Sequence, residues 1–101
     1  MWILQGASPA DARPDADLFT FRLAPGAVKT VGRAPRADFI LDVALVSRLH
    51  CRLSAQEDRL EVVDLSSTNG TFVNDKRIER AILSSGDRLR LGRVELTIGR
   101  G

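Results

Sequence analysis

One cysteine, one histidine, one tryptophan and no tyrosine stand among the 101 residues of this chain. Cys51 alone cannot form an intramolecular disulfide and offers no set of thiolates for a metal, which removes a disulfide-stapled scaffold and a structural zinc site from consideration. A single unpaired thiol also fits a reducing, intracellular setting. Long apolar runs are missing as well. The run at the start, Trp2-Ile3-Leu4, has no basic residue before it and is too short for a signal peptide or a membrane span. Neither sign of charge dominates: 15 lysines and arginines face 13 aspartates and glutamates, a formal net charge of +2. The arginines are scattered singly, without the basic stripe that non-specific nucleic-acid binding requires. There is no Walker loop, no HExxH and no cluster of metal ligands, so no cofactor or metal is expected.

What is present suffices for one packed domain spanning 1–101. Apolar residues make up 44% of the chain, and a second independent core would be hard to build at this length. Period-two alternation dominates, and no segment carries a convincing helical period. Phe19, Phe21 and Leu23 alternate with Leu18, Thr20 and Arg22; Leu49, Cys51 and Leu53 with His50, Arg52 and Ser54; Leu60 and Val62 with Glu61 and Val63. Leu89 and Leu91, then Val94, Leu96 and Ile98, repeat the pattern. Each run reads as a strand with one buried face. A first strand is expected over Trp2 to Gln5, followed by a mobile loop over 7–17. Pro25-Gly26, Asn69-Gly70, Ser85-Gly86-Asp87 and Gly92-Arg93 punctuate the runs as turns. The pattern is that of an all-β sandwich or barrel.

Three segments put polar groups where such a fold puts its loops: Val31-Gly32-Arg33, Ser47-Arg48-Leu49-His50 and Ser67-Thr68-Asn69-Gly70-Thr71-Phe72-Val73-Asn74. In their order and spacing they resemble the Gly-Arg, Ser-x-x-His and Asn-Gly-Thr-x-Val-Asn elements of the forkhead-associated (FHA) domain. The resemblance covers about residues 28 to 98, taking in Asp64-Leu65, Ser85-Gly86-Asp87 and Leu91-Gly92. It implies a two-sheet sandwich of about eleven short strands with ligand loops at one end. It also implies a module that binds phosphothreonine peptides in Ser/Thr kinase signalling, with a phosphorylated protein as partner and a kinase upstream.

The chemistry of the residues suits that task. A phosphate dianion needs several donors and a positive charge converging on its oxygens. Arg33 offers a planar fork of N–H groups, Ser47 a hydroxyl, and Arg48 a second cation at the rim. The family pattern makes Arg33 and Ser47 the principal contacts, with Arg48 and Thr68 helping. Read alone, Asn69-Gly70 is a hairpin turn; the family pattern instead has the Asn69 amide hold the peptide backbone. Gly32, His50, Gly70 and Asn74 are assigned to loop support, and Leu45 to specificity for the residues after the phosphothreonine.

Competing readings are weaker. Cys51 beside His50 invites a Cys–His nucleophile, but neighbouring strand residues point to opposite faces. Asp38, Asp42, Asp64 and Asp87 fall where short acids cap backbone donors, and Asp64 is expected to fix the recognition loop; no enzyme activity follows. Nucleic-acid binding through Arg88, Arg90, Arg93 and Arg100 would need exposed stacking groups, for which only Trp2 and Phe72 are candidates. An FHA-like assembly module that ignores phosphate is the alternative to phosphopeptide binding. The expected protein is a monomer without membrane or nucleic-acid partners. A cytoplasmic place and a bacterial signalling context are favoured, with a nuclear place if the source is eukaryotic.

Overall fold

The computed structural model describes residues 1–7 and 18–101. The loop expected over 7–17 therefore lies, beyond Ala7, outside the described residues. Among the described residues eleven strands follow in chain order: β1 Trp2–Ala7, β2 Leu18–Leu23, β3 Val28–Gly32, β4 Phe39–Ile40, β5 Cys51–Ala55, β6 Leu60–Asp64, β7 Thr71–Val73, β8 Lys76–Ile78, β9 Arg80–Leu83, β10 Arg88–Leu91 and β11 Val94–Arg100. They form a six-stranded sheet in the order β2-β1-β11-β10-β7-β8 and a five-stranded sheet in the order β4-β3-β5-β6-β9. No helix long and apolar enough to cross a membrane occurs among the described residues.

Alternation places the core between the sheets. Leu4, Leu89, Leu91, Val94, Leu96 and Ile98 enter from the six-stranded sheet, and Val31, Cys51, Leu53, Leu60, Val62 and Leu83 from the five-stranded one. Register locks this arrangement, because slipping Leu53↔Val62 or Leu89↔Leu96 by one residue would turn every apolar side chain outward. The first and last strands pair inside the six-stranded sheet, β1 with β11 from Trp2↔Arg100 to Ala7↔Glu95.

Four expectations change. The first strand continues two residues past Gln5, because Gly6 and Ala7 still find partners on both β2 and β11. Trp2 is not an exposed stacking group: it is buried in the core, its indole N–H donates to the Gln56 carbonyl at 2.8 Å, and Arg100 lies over the ring at 4.6 Å. The strand read as starting at Leu49 starts at Cys51; Leu49 is exposed and His50 buried, the reverse of what alternation implies. Finally, Asn69-Gly70 does not turn a hairpin. The segment carries the chain from β6 in one sheet to β7 in the other. The tight hairpin lies between β7 and β8, where Asn74 (φ 50°) and Asp75 (φ 69°) both take the left-handed conformation that a two-residue turn demands.

Leu53 is fully buried in the middle of the five-stranded sheet. Leu53→Ala is expected to lower the unfolding free energy by about 2–5 kcal/mol in urea denaturation, through lost burial and the cavity left behind; a loss within experimental error would contradict this packing.

Candidate functional site

Five strand ends meet at one end of the sandwich: β3 after Gly32, β5 before Cys51, β6 after Asp64, β7 before Thr71 and β10 after Leu91. The loops between them are pulled together by very short approaches. A Cβ on Gly32 would stand 2.1 Å from the Arg48 carbonyl oxygen, so no other residue fits where β3 passes the 47–48 segment. The backbone N–H of Arg33 then donates to the Ser47 carbonyl at 2.9 Å, and that of Ala34 to the Arg48 carbonyl at 3.1 Å.

Arg33 is held twice. Besides its backbone bond, its Nε–H donates to the Val46 carbonyl at 3.0 Å. That leaves the N–H groups of the two terminal nitrogens free to point outward as a fork. Ser47 is equally constrained. Its N–H donates to His50 Nδ1 at 3.0 Å, and its hydroxyl oxygen accepts the Thr68 N–H at 3.0 Å. The hydroxyl hydrogen is still available to a ligand.

His50 sits at the centre of this arrangement, sealed from solvent. A backbone N–H can only donate, so Nδ1 must be the accepting nitrogen and Nε2 must carry the proton, which it gives to the Gly70 carbonyl at 2.9 Å. The imidazole is thereby neutral. Burial holds its pKa below the ordinary 6.5, against the opposing pull of Gly70 and Asp64. Both ring nitrogens are occupied, and burial drives the Cys51 thiol far above its usual range. A Cys–His nucleophile is therefore excluded by hydrogen bonding, a firmer reason than alternation.

Asp64 fixes the next loop. Its Oδ1 accepts the Ser67 hydroxyl at 2.5 Å and the Thr71 hydroxyl at 2.7 Å, and its Oδ2 accepts the Ser67 N–H at 3.1 Å. Burial alone would raise its pKa, yet these bonds outweigh it and hold the carboxyl below the usual range. The Ser67 oxygen in turn accepts the Gly70 N–H at 3.0 Å. Ser67 and Thr71 were not singled out as site residues from sequence. Both lie inside the segment flagged there, but only their burial reveals that they face inward.

The outcome is a cleft of about 290 Å³ lined by Arg33, Leu45, Ser47, Thr68 and Asn69, with Ala44 and Val46 behind. Asn69 donates its amide to the Leu45 carbonyl at 3.0 Å, spanning the cleft mouth, and Leu45 is presented half-exposed by a left-handed backbone (φ 74°). Arg48 stands exposed outside this lining. Gly32, His50 and Gly70 lie beneath the cleft. Asn74 does not join them: it is at the far end of β7, where its side chain donates to Asp87 at 3.2 Å and accepts the Arg88 N–H at 3.0 Å.

Residues 29–92 match the FHA domain family. The chain belongs to that family. It is 42% identical over 72 residues to the oxoglutarate dehydrogenase inhibitor of Corynebacterium diphtheriae, a match covering 71% of this chain and 50% of that protein. The chain thus spans about half the length of that relative. Among solved structures, the FhaA FHA domain complexed with the intracellular domain of Rv3910 superposes with a TM-score of 0.80 at 32% identity, over 97% of this chain and 99% of the other. An FHA domain solved in work on phosphothreonine-dependent FHA interactions gives 0.79 at 30% identity, over 99% and 96%.

Because folding depresses the His50 pKa, the unfolded FHA domain takes up a proton that the folded one resists. Stability is full above 6.5 and declines as pH falls through that value toward the lower folded one. Urea midpoints should drop between roughly pH 7.5 and pH 5.5, with the imidazole titrating below 6.5 by NMR. A midpoint at or above 6.5 would contradict the neutral, doubly bonded ring.

Proposed function

We propose that this FHA domain binds phosphothreonine peptides and recruits phosphorylated proteins in Ser/Thr kinase signalling, without catalysing a reaction. The observation that carries the reading is the pairing of Arg33 with Ser47 on one cleft. Arg33 is tethered through Nε and Ser47 through its hydroxyl oxygen, so the free donors of both residues are left for an incoming phosphate. Thr68 and Asn69 complete the rim. The phosphate would rest on the Arg33 fork and the Ser47 hydroxyl, with Arg48 adding positive charge from outside the cleft. The remaining capacity of the Asn69 amide, one N–H and the carbonyl oxygen, suits a peptide backbone alongside.

Discrimination of threonine from serine rests on the γ-methyl group, worth roughly 1–3 kcal/mol in a fitted apolar pocket. Leu45 is placed to favour an apolar residue after the phosphothreonine. A flexible ligand with few contacts gives about micromolar affinity. The groups that could serve as catalysts are otherwise engaged: Cys51 is buried, His50 is doubly bonded and Asp64 accepts three hydrogen bonds. The relative from C. diphtheriae is named an inhibitor, in keeping with a binding role. An intracellular, cytoplasmic place follows from partners that a Ser/Thr kinase must reach.

Arg33→Ala and Ser47→Ala should each weaken phosphothreonine-peptide binding by about tenfold to a hundredfold, the worth of a charge-assisted hydrogen bond. Isothermal titration reads the loss, and thermal melting should show the fold retained. Equal binding of phosphorylated and unphosphorylated peptides by the wild-type domain would instead favour a phosphate-independent assembly module.

A further inference from the structure

The outer face of the six-stranded sheet carries one row that the phosphate site leaves unexplained. Register aligns Arg77 on β8, Phe72 on β7, Arg90 on β10 and Glu95 on β11 across four neighbouring strands. Arg90 has a carboxylate directly opposite it in Glu95, yet its guanidinium lies over the Phe72 ring, 4.1 Å from the centroid. Among the described residues neither Arg77 nor Arg90 is held in an ion pair.

Arg77 also reaches the recognition loop. A Cβ placed on Gly70 would meet Arg77 Nε at 2.9 Å, Arg77 Cζ at 3.1 Å and Phe72 Cε1 at 3.2 Å. The guanidinium and the ring edge therefore converge on the backbone immediately after Asn69, and only a glycine at 70, whose φ is +91°, permits it. The 65–70 segment forms a ridge. On one flank is the cleft of Arg33 and Ser47; on the other is a larger cleft of about 680 Å³ bordered by Ser66, Arg77 and Arg80.

From these observations we propose that Arg77, set across the strand pair from Phe72, reads an acidic side chain of the bound phosphopeptide. The proposal rests on the phosphothreonine reading of the site and deepens it. From Thr68 to Gly70 is two residues, at most about 7 Å of extended chain. A peptide pinned by its phosphate on one side of the ridge brings a residue within about three positions over Arg77 on the other. A guanidinium suits this place because its planar N–H fork matches the two oxygens of a carboxylate. The role falls to Arg77 and not to the whole second cleft: Arg80 there is 3.6 Å from Glu61, and Glu79 adds a negative charge.

The test compares three phosphothreonine peptides by isothermal titration: one with neutral flanks, one with glutamates before the phosphothreonine and one with glutamates after it. One acidic peptide should bind about three- to fivefold tighter than the neutral one at low salt, with the advantage shrinking as salt rises. Arg77→Gln should abolish the advantage and leave the neutral peptide's affinity unchanged, whereas Arg77→Lys should keep part of it. Thermal melting confirms that both variants fold. The proposal is overturned if acid on neither flank matters. It is equally overturned if Arg77→Gln weakens neutral and acidic peptides alike, the mark of a residue that only props Gly70. If the wild-type domain does not prefer the phosphorylated neutral peptide to its unphosphorylated form, the phosphothreonine reading itself fails, and this proposal with it.

Discussion

A buried neutral imidazole ties together two loops that also meet nearer the surface, through Thr68 to Ser47 and through Asn69 to Leu45. His50 accepts the Ser47 N–H on one side and donates to the Gly70 carbonyl on the other. Because the ring is buried, neither bond competes with water, and losing one would leave a polar group unsatisfied at about 1–3 kcal/mol. Ser47 carries a hydroxyl on the cleft it shares with Arg33 and Thr68, and Gly70 follows Asn69 at the mouth of that cleft. The spacing of these two segments is thus fixed in part from beneath, by a side chain sealed from solvent.

Asp64 plays the corresponding part between the sheets. It ends β6 in the five-stranded sheet and accepts the hydroxyl of Thr71, which begins β7 in the six-stranded one. Through Ser67 it also shapes the 65–70 ridge, and the Ser67 oxygen takes the Gly70 N–H in turn. No buried side-chain nitrogen or oxygen among the described residues lacks a partner. A site supported in this way is preorganised, so less of the binding free energy is lost to ordering loops. Arg33 shows the principle in one side chain: tethering Nε to the Val46 carbonyl fixes the direction of the fork before any anion arrives.

How much of this was legible in the sequence depended on the range of the interaction. Strands with a clean period of two, such as Leu60–Asp64 and Val94–Arg100, announced their buried faces. The two- and three-residue strands β4, β7 and β8 carry too few residues for a period, and β9 hides its own because Ile82 is exposed beside buried Leu83. His50 was misplaced on a strand because alternation cannot register a residue whose ring is buried by loops instead of by the opposite sheet. Periodicity says nothing of Trp2, whose burial involves the Gln56 carbonyl 54 positions away. Arg33, Ser47, Thr68 and Asn69 were found through their ordered spacing and do converge. Asn74 belongs to the same motif and supports its own loop, the β7–β8 hairpin at the opposite end, through Asp87 and the Arg88 N–H.

The proposed recognition depends on donors aimed in advance by buried neighbours, and that makes geometry the decisive test. A crystal structure of the domain bound to a phosphothreonine peptide should show phosphate oxygens within hydrogen-bond reach of the Arg33 terminal nitrogens and the Ser47 hydroxyl. The His50 bonds to Ser47 and Gly70 should be unbroken and the surrounding backbone displaced by less than about 1 Å, as in other preorganised complexes. A phosphate seated away from Arg33 and Ser47, or loops that rebuild with His50 released, would contradict the account.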